Sequence, residues 1–201
     1  KAVLDNCLMC KACKNECPSN VDISKLKSEA LQHYYDANGY NVSTLLVSYL
    51  PRLQAMASIA PFLYNWVVSC GFTSKILKNI LGFAPERTLP KIHNCNFEKE
   101  ITKHSQKSFK KTIYLFIDEF SRYQDTEIAK TTIKLFSVLG YKVKKAPIKD
   151  SGRTAISKGM LKRAKQIANK NIKTLLPLID ETTPLVGIEP SATLSFRDEY
   201  P

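Results

Sequence analysis

The stretch Cys7-Leu8-Met9-Cys10-Lys11-Ala12-Cys13-Lys14-Asn15-Glu16-Cys17-Pro18 decides how the first half of this chain folds. Cys7, Cys10 and Cys13 follow one another at intervals of three residues, and Cys17 precedes a proline. Three thiolates at this spacing can wrap one cubane cluster. The short turns between them also aim backbone N–H groups at the sulfurs. In four-cysteine runs of this form, three cysteines ligate one [4Fe–4S] cluster and the fourth ligates another. We therefore predict iron–sulfur ligation by all four residues, with Cys17 serving a second cluster.

The four cysteines leave both coordination shells incomplete. Structural zinc usually takes two cysteine pairs separated by a dozen or more residues, so zinc is the weaker alternative, and a structural role is another. Cys70 follows Trp66-Val67-Val68 and is expected in the core, whereas Cys95 lies beside His93 and Asn94 in polar surroundings. We therefore expect the remaining cluster ligands upstream of Lys1, in a longer parent chain.

Composition and charge restrict the protein class. The 201 residues are 44% hydrophobic and 24% charged, which is globular composition, and six cysteines are too few for a disulfide-stapled scaffold. The formal net charge of +12 is spread over residues 41–201 without a basic and aromatic platform, which argues against nucleic acid. No signal peptide is visible, so the expected location is cytoplasmic. The densest basic run is read as a solvated linker: Lys99, Lys103, Lys107, Lys110 and Lys111.

Residues 1–83 are predicted to be all-helical. Ile23, Leu26, Ala30 and Tyr34 recur at helical spacing behind a candidate N-cap, Asp22, with Gly39 as the stop. Shorter helices are expected around residues 43–50, 52–59, 62–68 and 74–80, and residues 84–111 read as a linker. Residues 53–74 carry no charge and are long enough to span a bilayer, but Pro61 would break a helix there. We expect two short amphipathic helices that dock on a membrane or a partner.

Residues 112–201 have a βαβαβα pattern, which predicts a small α/β domain with a parallel three-stranded sheet. The strands are expected at 113–117, 141–146 and 185–188. Helices follow them at Ile128–Leu139 and Ile156–Leu175, and a last helix is capped by Ser191. Because ligands bind outside the carboxyl ends of parallel strands, three loops should meet at one face. They are Asp118–Asp125, Pro147–Thr154 and Glu189–Ala192.

Several motifs together resemble one family, the C-terminal iron–sulfur region of FAD-linked 2-hydroxyacid dehydrogenases of the D-lactate dehydrogenase and glycolate oxidase kind. The resemblance runs through nearly the whole chain. It implies an α-helical ferredoxin-like half, a domain related to the cysteine-rich domains of heterodisulfide reductases, and an FAD domain and first cluster motif upstream. The segments that carry it are Cys7–Asp22, Lys25-Leu26-Lys27, Ala84–Arg87, Ile156–Leu161, Gly187–Ser191 and Arg197–Pro201.

The α/β half departs from that family pattern. The related domains carry Cys-Cys-Gly on the second βα loop and a further cysteine on the third. Here those loops read Lys149-Asp150-Ser151-Gly152-Arg153 and Glu189-Pro190-Ser191-Ala192. Without thiolates no soft-metal site can form, so we predict a metal-free scaffold. Asp118, Asp150, Ser151 and Arg153 form either a polar pocket or ordinary turn contacts; we expect Arg153 to pair with Asp150, Asp118 or an anionic partner, and Asp198 and Glu199 to be solvated.

The sequence therefore predicts an electron-transfer segment of an FAD-dependent 2-hydroxyacid (lactate or glycolate) dehydrogenase, not catalytic by itself. Its expected partners are the upstream flavin domain and an acceptor, either a quinone or a redox protein, with a peripheral contact at the cytoplasmic face of a membrane and no nucleic acid. One alternative is a thiol–disulfide subunit of the heterodisulfide-reductase type. Another is a binding module held by zinc.

Overall fold

The computed structural model describes residues 2–105 and 109–201. Lys1 and residues 106–108, among them Lys107 of the basic run, lie outside the described residues. The first half is helical, and no strand occurs among its described residues. Its helices are α1 (Ala2–Asp5), α2 (Ala12–Glu16), α3 (Ile23–Asn38), α4 (Val42–Ser48), α5 (Leu50–Ala57), α6 (Pro61–Ser69), α7 (Gly71–Leu81) and α8 (Phe97–His104).

The second half contains the predicted three-stranded parallel sheet. Its strands are ordered β2-β1-β3, and β1 pairs in parallel with both neighbours. This arrangement confirms the predicted parallel sheet and fits a small α/β domain. The elements in chain order are β1 (Lys111–Phe116), α9 (Glu119–Tyr123), α10 (Thr126–Val138), β2 (Tyr141–Lys145), α11 (Arg153–Ser157), α12 (Leu161–Leu175), β3 (Leu185–Gly187) and α13 (Pro190–Asp198).

Strand β1 is buried on both faces, as its continuous apolar run predicts. Ile113, Leu115 and Ile117 pack into one core cluster with Ala129 and Ile133 of α10. On the opposite face, Phe116 packs into a second cluster with Ala146, Ile148, Leu175 and Ala192. The alternation of side chains along the strand assigns successive residues to opposite layers. The sheet is therefore covered by helices on both sides.

Helix α3 has the predicted ends. The Asp22 carboxylate accepts a hydrogen bond from the backbone N–H of Lys25 at 3.1 Å, which satisfies one of the free donors of the first turn. Gly39 stops the helix with φ of 76°, a conformation that favours glycine. Both signals are local, so they can be recognised from the sequence.

The segment that we interpreted as a linker contains a helix. Asn96 caps α8 by accepting from the backbone N–H of Lys99 at 3.2 Å, and the first turn is acidic while the last is basic, which suits the helix dipole. Phe97 is buried in the core of the sheet. Helix α8 packs on α10 and β2 and thus closes one side of the α/β half.

Two predicted helix boundaries are wrong. The long helix expected over Ile156–Leu175 is two helices, α11 and α12, separated at Gly159, which has φ of 70°. A Cβ at Gly159 would lie 2.3 Å from the Cβ of Leu31, so the break allows α3 to approach closely. The last helix begins at Pro190, and its cap is Glu189, whose carboxylate accepts from the backbone N–H of Ser191.

The described helices include none that is both long and apolar enough to cross a membrane. Helix α5 ends at Ala57 and α6 begins at Pro61, so the uncharged stretch is divided as its proline predicts.

Candidate functional site

The four predicted cluster ligands lie in one segment, residues 7–17, which we call the cysteine loop. Cys7 lies between α1 and α2 and is half-buried, and Cys10 in the same connection is exposed. Cys13 is exposed on α2, and Cys17 is half-buried at the end of that helix. All four are free thiols. The exposed pair is therefore open to a cofactor or partner approaching from outside the chain.

The backbone of the cysteine loop adopts unusual angles on either side of Cys10. Met9 has φ of 56° and Lys11 has φ of 62°, both in the left-handed region that non-glycine residues rarely adopt. Each costs about 1 kcal/mol or more and persists only where surrounding contacts hold it. One contact formed by this path is a hydrogen bond from the Met9 backbone N–H to the Cys7 sulfur at 3.4 Å.

Backbone N–H groups also surround the last cysteine of the loop. Those of Val21 and Ser19 lower the pKa of the Cys17 thiol below its ordinary value, and that of Asn20 contributes a smaller lowering, against a partial desolvation that raises it. Asn20 has φ of 54°, which belongs to the turn that brings these N–H groups round the sulfur. The thiolate is the form that binds metals, so this environment suits a ligand.

The cysteine loop is anchored by buried contacts to other elements. The Lys27 ammonium, on α3, donates to the carbonyl of Cys7 at 2.7 Å and is itself buried. The Met9 side chain is also buried and packs in a core cluster with Ala155, Ile156, Met160 and Ala164 of the α/β half, against which Cys7 and Tyr49 also pack. The conformation of the loop is thus fixed by both halves of the molecule.

The chemistry of the donor set fits an iron–sulfur group, because four thiols and sulfur-directed N–H groups occur within one short segment. The structure does not assemble them. Within residues 2–105 and 109–201, no three His, Cys, Asp or Glu side chains are grouped so that they could hold a metal ion. Cluster ligation by Cys7, Cys10, Cys13 and Cys17 therefore stays a prediction.

Neither of the other two cysteines joins the loop. Cys70 is half-buried rather than a fully buried core residue, and it stands at the start of α7, where the N–H and hydroxyl of Thr73 lower the pKa of its thiol. Cys95 packs against the core of the sheet, and burial raises the pKa of its thiol.

The carboxyl ends of the strands meet in a buried polar cluster that we call the strand-end cluster, formed by Asp118, Glu119, Arg122, Asp150 and Ser151. Glu119 is fully buried and accepts two hydrogen bonds from Ser151, one from its hydroxyl at 2.7 Å and one from its backbone N–H at 3.1 Å. Burial raises the pKa of the Glu119 carboxyl to about 7, although the bonds from Ser151 act in the opposite direction. This pair joins the first βα loop to the second.

Other members of the strand-end cluster reinforce the junction. Asp118 caps α9 by accepting from the N–H groups of Phe120 and Ser121 at 2.8 and 3.0 Å. The buried Arg122 guanidinium donates to the carbonyls of Ile117 and Ile148 at 2.8 and 3.1 Å. These side chains bond to one another and to backbone, as loop-stabilising contacts do, although Asp118 Oδ2 and Arg122 Nε are buried without a hydrogen-bond partner among the described residues.

Arg153 does not pair with Asp118 or Asp150, contrary to two of the expected arrangements. Its guanidinium lies 3.3 Å from the Glu199 carboxylate, which also lies 2.5 Å from the Lys11 ammonium of the cysteine loop. Glu199 is therefore not solvated as predicted, since only 11% of its side chain is exposed. Asp150 instead faces Arg163, at 3.9 Å, and the Arg163 guanidinium stacks over the Tyr49 ring at 3.7 Å from its centroid.

Sequence reasoning missed Glu119 and Glu199. Glu119 directly follows the end of a buried strand, so the argument that selected Asp118 applied equally to it. Glu199 gave no local signal, because its partners Lys11 and Arg153 are distant in the sequence. The phenol of Tyr200 links the same region by donating to the Ser151 carbonyl at 2.9 Å and accepting from Asn171 at 2.8 Å.

Comparison with known proteins finds similarity to D-2-hydroxyglutarate dehydrogenases. The chain is 27% identical to that of Haemophilus influenzae over 214 residues, 28% identical to that of Pseudomonas putida over 207, and 26% identical to that of Escherichia coli over 212. These alignments cover 96–100% of this chain. No family model matches the sequence, and no solved structure matches it.

The chain spans about a fifth of the length of these relatives, 20–21% in each case. The matched part is a C-terminal region. The similarity therefore relates this chain to one region of a class of oxidoreductases, the 2-hydroxyacid dehydrogenases, in agreement with the resemblance carried by its motifs.

Proposed function

We propose that this chain is the iron–sulfur electron-transfer region of an FAD-linked 2-hydroxyacid dehydrogenase. The observation that carries the proposal is the cysteine loop, four thiols in the spacing typical of [4Fe–4S] ligation. The similarity to D-2-hydroxyglutarate dehydrogenases supports the enzyme class. In this proposal Cys7, Cys10 and Cys13 ligate one cluster, Cys17 ligates a second, and the helical half is a ferredoxin-like domain.

The chain's own residues would prepare the loop for this role. A bound [4Fe–4S] cluster supplies one-electron chemistry. The N–H groups near Cys17 favour its thiolate, and the Met9 N–H is already directed at the Cys7 sulfur. The Lys27 ammonium and the buried Met9 side chain hold the loop backbone, while the exposure of Cys10 and Cys13 leaves room for the cluster and for the rest of its ligands.

The other parts of the reaction belong to the parent enzyme in this proposal. An FAD domain oxidises the 2-hydroxy acid, for which D-2-hydroxyglutarate is the candidate that the relatives' names provide. Electrons then pass through the iron–sulfur region to a quinone or a redox protein. The present chain relays electrons and carries no substrate-oxidising residue, and the cytoplasm is the proposed location.

The proposal is tested by electron paramagnetic resonance of the full-length protein after anaerobic reduction. We expect a [4Fe–4S] signal that Cys10→Ser removes or alters, together with iron and acid-labile sulfide. The matched control is Cys70→Ser, which removes a half-buried thiol outside the cysteine loop. This variant should keep both the signal and the metal content.

Other metal contents would contradict the proposal. Stoichiometric zinc without iron or sulfide would instead indicate the zinc-held binding module. A metal-free protein whose thiols cycle with a disulfide substrate would indicate the heterodisulfide-reductase type. For that second outcome the strand-end cluster is poorly suited, since Ser151 and Ala192 stand where the related domains carry thiols.

A further inference from the structure

Helices α5, α6 and α7, with the turn that follows them, expose an unusual amount of apolar side chain. Phe62 is 85% exposed, Ile59 84% and Phe72 75%. Soluble monomers rarely expose large contiguous apolar patches without a use for them. We call this set the apolar helical surface; its exposed members are Leu53, Met56, Ile59, Phe62, Leu63, Trp66, Phe72, Ile76, Ile80 and Phe83.

The exposed residues recur at helical spacing. Phe62 and Trp66 are one turn apart on α6, and Phe72, Ile76 and Ile80 form a continuous stripe along α7. Helices α6 and α7 pack directly against each other. On each helix the buried side is not the side that carries the exposed stripe, since Val68 is buried on α6 and Ser74 on α7. The apolar stripes are thus the sides of these helices that the described protein leaves uncovered.

The charge around this surface has one sign. None of the 18 acidic residues of the chain falls within residues 37–85, whereas that stretch contains Arg52, Lys75 and Lys78. Lys75 is exposed next to Ile76 in the stripe of α7, and Arg52 is exposed at the start of α5. An apolar surface with aromatic residues and cations, and without carboxylates, complements an anionic lipid surface.

We propose that the apolar helical surface docks peripherally on an anionic bilayer. Phe62, Trp66 and Phe72 enter the boundary between headgroups and acyl chains, while Arg52 and Lys75 contact lipid phosphates. The helices lie in the interface and do not cross the bilayer, because none in the described part of the chain is long enough. This inference does not depend on the cysteine loop, so it can fail while the iron–sulfur proposal stands, and the reverse.

The chain contains its own probe for this docking. Trp66 is the single tryptophan of these 201 residues and lies 57% exposed within the apolar helical surface, so in the full-length protein its signal is the part of the emission change that Trp66→Phe removes. On titration with vesicles of phosphatidylcholine and phosphatidylglycerol, we expect its emission to shift to the blue and to be quenched by brominated acyl chains. Vesicles of phosphatidylcholine alone should produce at least about tenfold weaker binding, since they lack the attraction for Arg52 and Lys75.

Paired variants distinguish docking through the apolar helical surface from nonspecific adsorption by any exposed apolar side chain. Phe62→Ser with Phe72→Ser should weaken vesicle binding at least about tenfold, because two large apolar side chains are removed. The control pair, Val138→Ser with Leu176→Ser, removes side chains that are 68% and 73% exposed in the α/β half. It should leave binding unchanged. Lys75→Glu should weaken vesicle binding about tenfold. Lys134→Glu, at an exposed position of α10, should leave it unchanged.

Three results would overturn the proposal. The first is the absence of any Trp66 response to anionic vesicles. The second is equal loss of binding in the control pair. The third is a stable assembly of copies of the chain, measured by light scattering, that Phe62→Ser with Phe72→Ser dissolves and that excludes vesicles. The last result would assign the apolar helical surface to contact between copies.

Discussion

The cysteine loop and the strand-end cluster are built in opposite ways. The loop exposes Cys10 and Cys13, bends through left-handed backbone at Met9 and Lys11, and does not gather its thiols. The strand-end cluster buries its polar groups and bonds them to one another, as Glu119 does with Ser151. The first arrangement leaves ligands free for a group from outside the chain, whereas the second uses most of its polar atoms in internal hydrogen bonds; among the described residues of this cluster, Asp118 Oδ2 and Arg122 Nε are buried without a partner.

This difference is the one that the two proposed roles require, a scaffold at the strand ends and a binding segment in the cysteine loop. A buried carboxyl needs partners, and Ser151 provides Glu119 with two. An exposed thiol needs none, because water solvates it. The positions where the related domains carry thiols are occupied here by the hydroxyl of Ser151 and the methyl group of the fully buried Ala192, so that face is closed by packing.

The largest expected effect tests which of the two regions carries electrons. The proposed function predicts that, in the full-length protein with its flavin reduced by substrate, Cys13→Ser should lower electron transfer to an artificial acceptor by about a hundredfold or more, since a missing thiolate disrupts the cluster. Ser151→Ala, compared per folded molecule, should stay within about twofold of the parent rate.

A Ser151→Ala protein as inactive as the Cys13→Ser protein would reverse the comparison. It would mean that the strand-end cluster takes part in the chemistry. The scaffold interpretation would then be wrong.

A second prediction concerns the glycine at which the two halves approach. Gly159→Ala should lower the free energy of unfolding by about 3 kcal/mol, because its Cβ would overlap Leu31 and its φ is positive. Gly82→Ala is the matched control, with φ of 69° and no atom closer than the Ser43 hydroxyl at 3.9 Å. It should cost about 1 kcal/mol. Urea denaturation followed by circular dichroism measures both, and equal losses would show that the approach of Leu31 is not limiting.

The third prediction concerns the pH dependence of the strand-end cluster. The pKa of Glu119 is raised to about 7 in the folded state, above its ordinary value of 4.5. Its contribution to stability is therefore present at low pH and is lost as the pH rises through 7, by about 2 kcal/mol between pH 5 and 8. Glu119→Gln should remove this slope.

Glu181→Gln, at an exposed position, is the control for that measurement and should follow the wild-type slope. Urea midpoints at a series of pH values provide the comparison. A Glu119→Gln protein with the wild-type slope would show that another group is responsible for the pH dependence.

Local patterns predicted the elements that local physics determines. The apolar run from Ile113 to Ile117 predicts β1 because burial on both faces requires it, and Asp22 and Gly39 predict α3 because caps act within one turn. Helix α8 also carried local signals, the Asn96 cap and its ordered charges, but the polar composition around it suggested a linker. Its existence depends on the burial of Phe97 against the sheet, which periodicity did not show.

Long-range contacts decided the rest. The helix break at Gly159 exists because Leu31 comes within reach, and the position of Glu199 follows from Lys11 and Arg153, which are distant in the sequence. The thiols of the cysteine loop could be identified from spacing alone, while the burial of Glu119 could not. The similarity to dehydrogenases concerns the class of parent protein and leaves these contacts to be found in the structure.

The burial of Met9 has a consequence for biosynthesis. Its partners Ala155, Ile156 and Ala164 are translated long after it, since most of the chain separates them. Domains generally form from the N-terminus while a ribosome is still extending the chain, but this segment cannot settle until α11 and α12 have been made. During that interval the nascent thiols lack this anchor and are accessible, so under the proposed iron–sulfur role a cluster could be inserted before the fold closes around Met9.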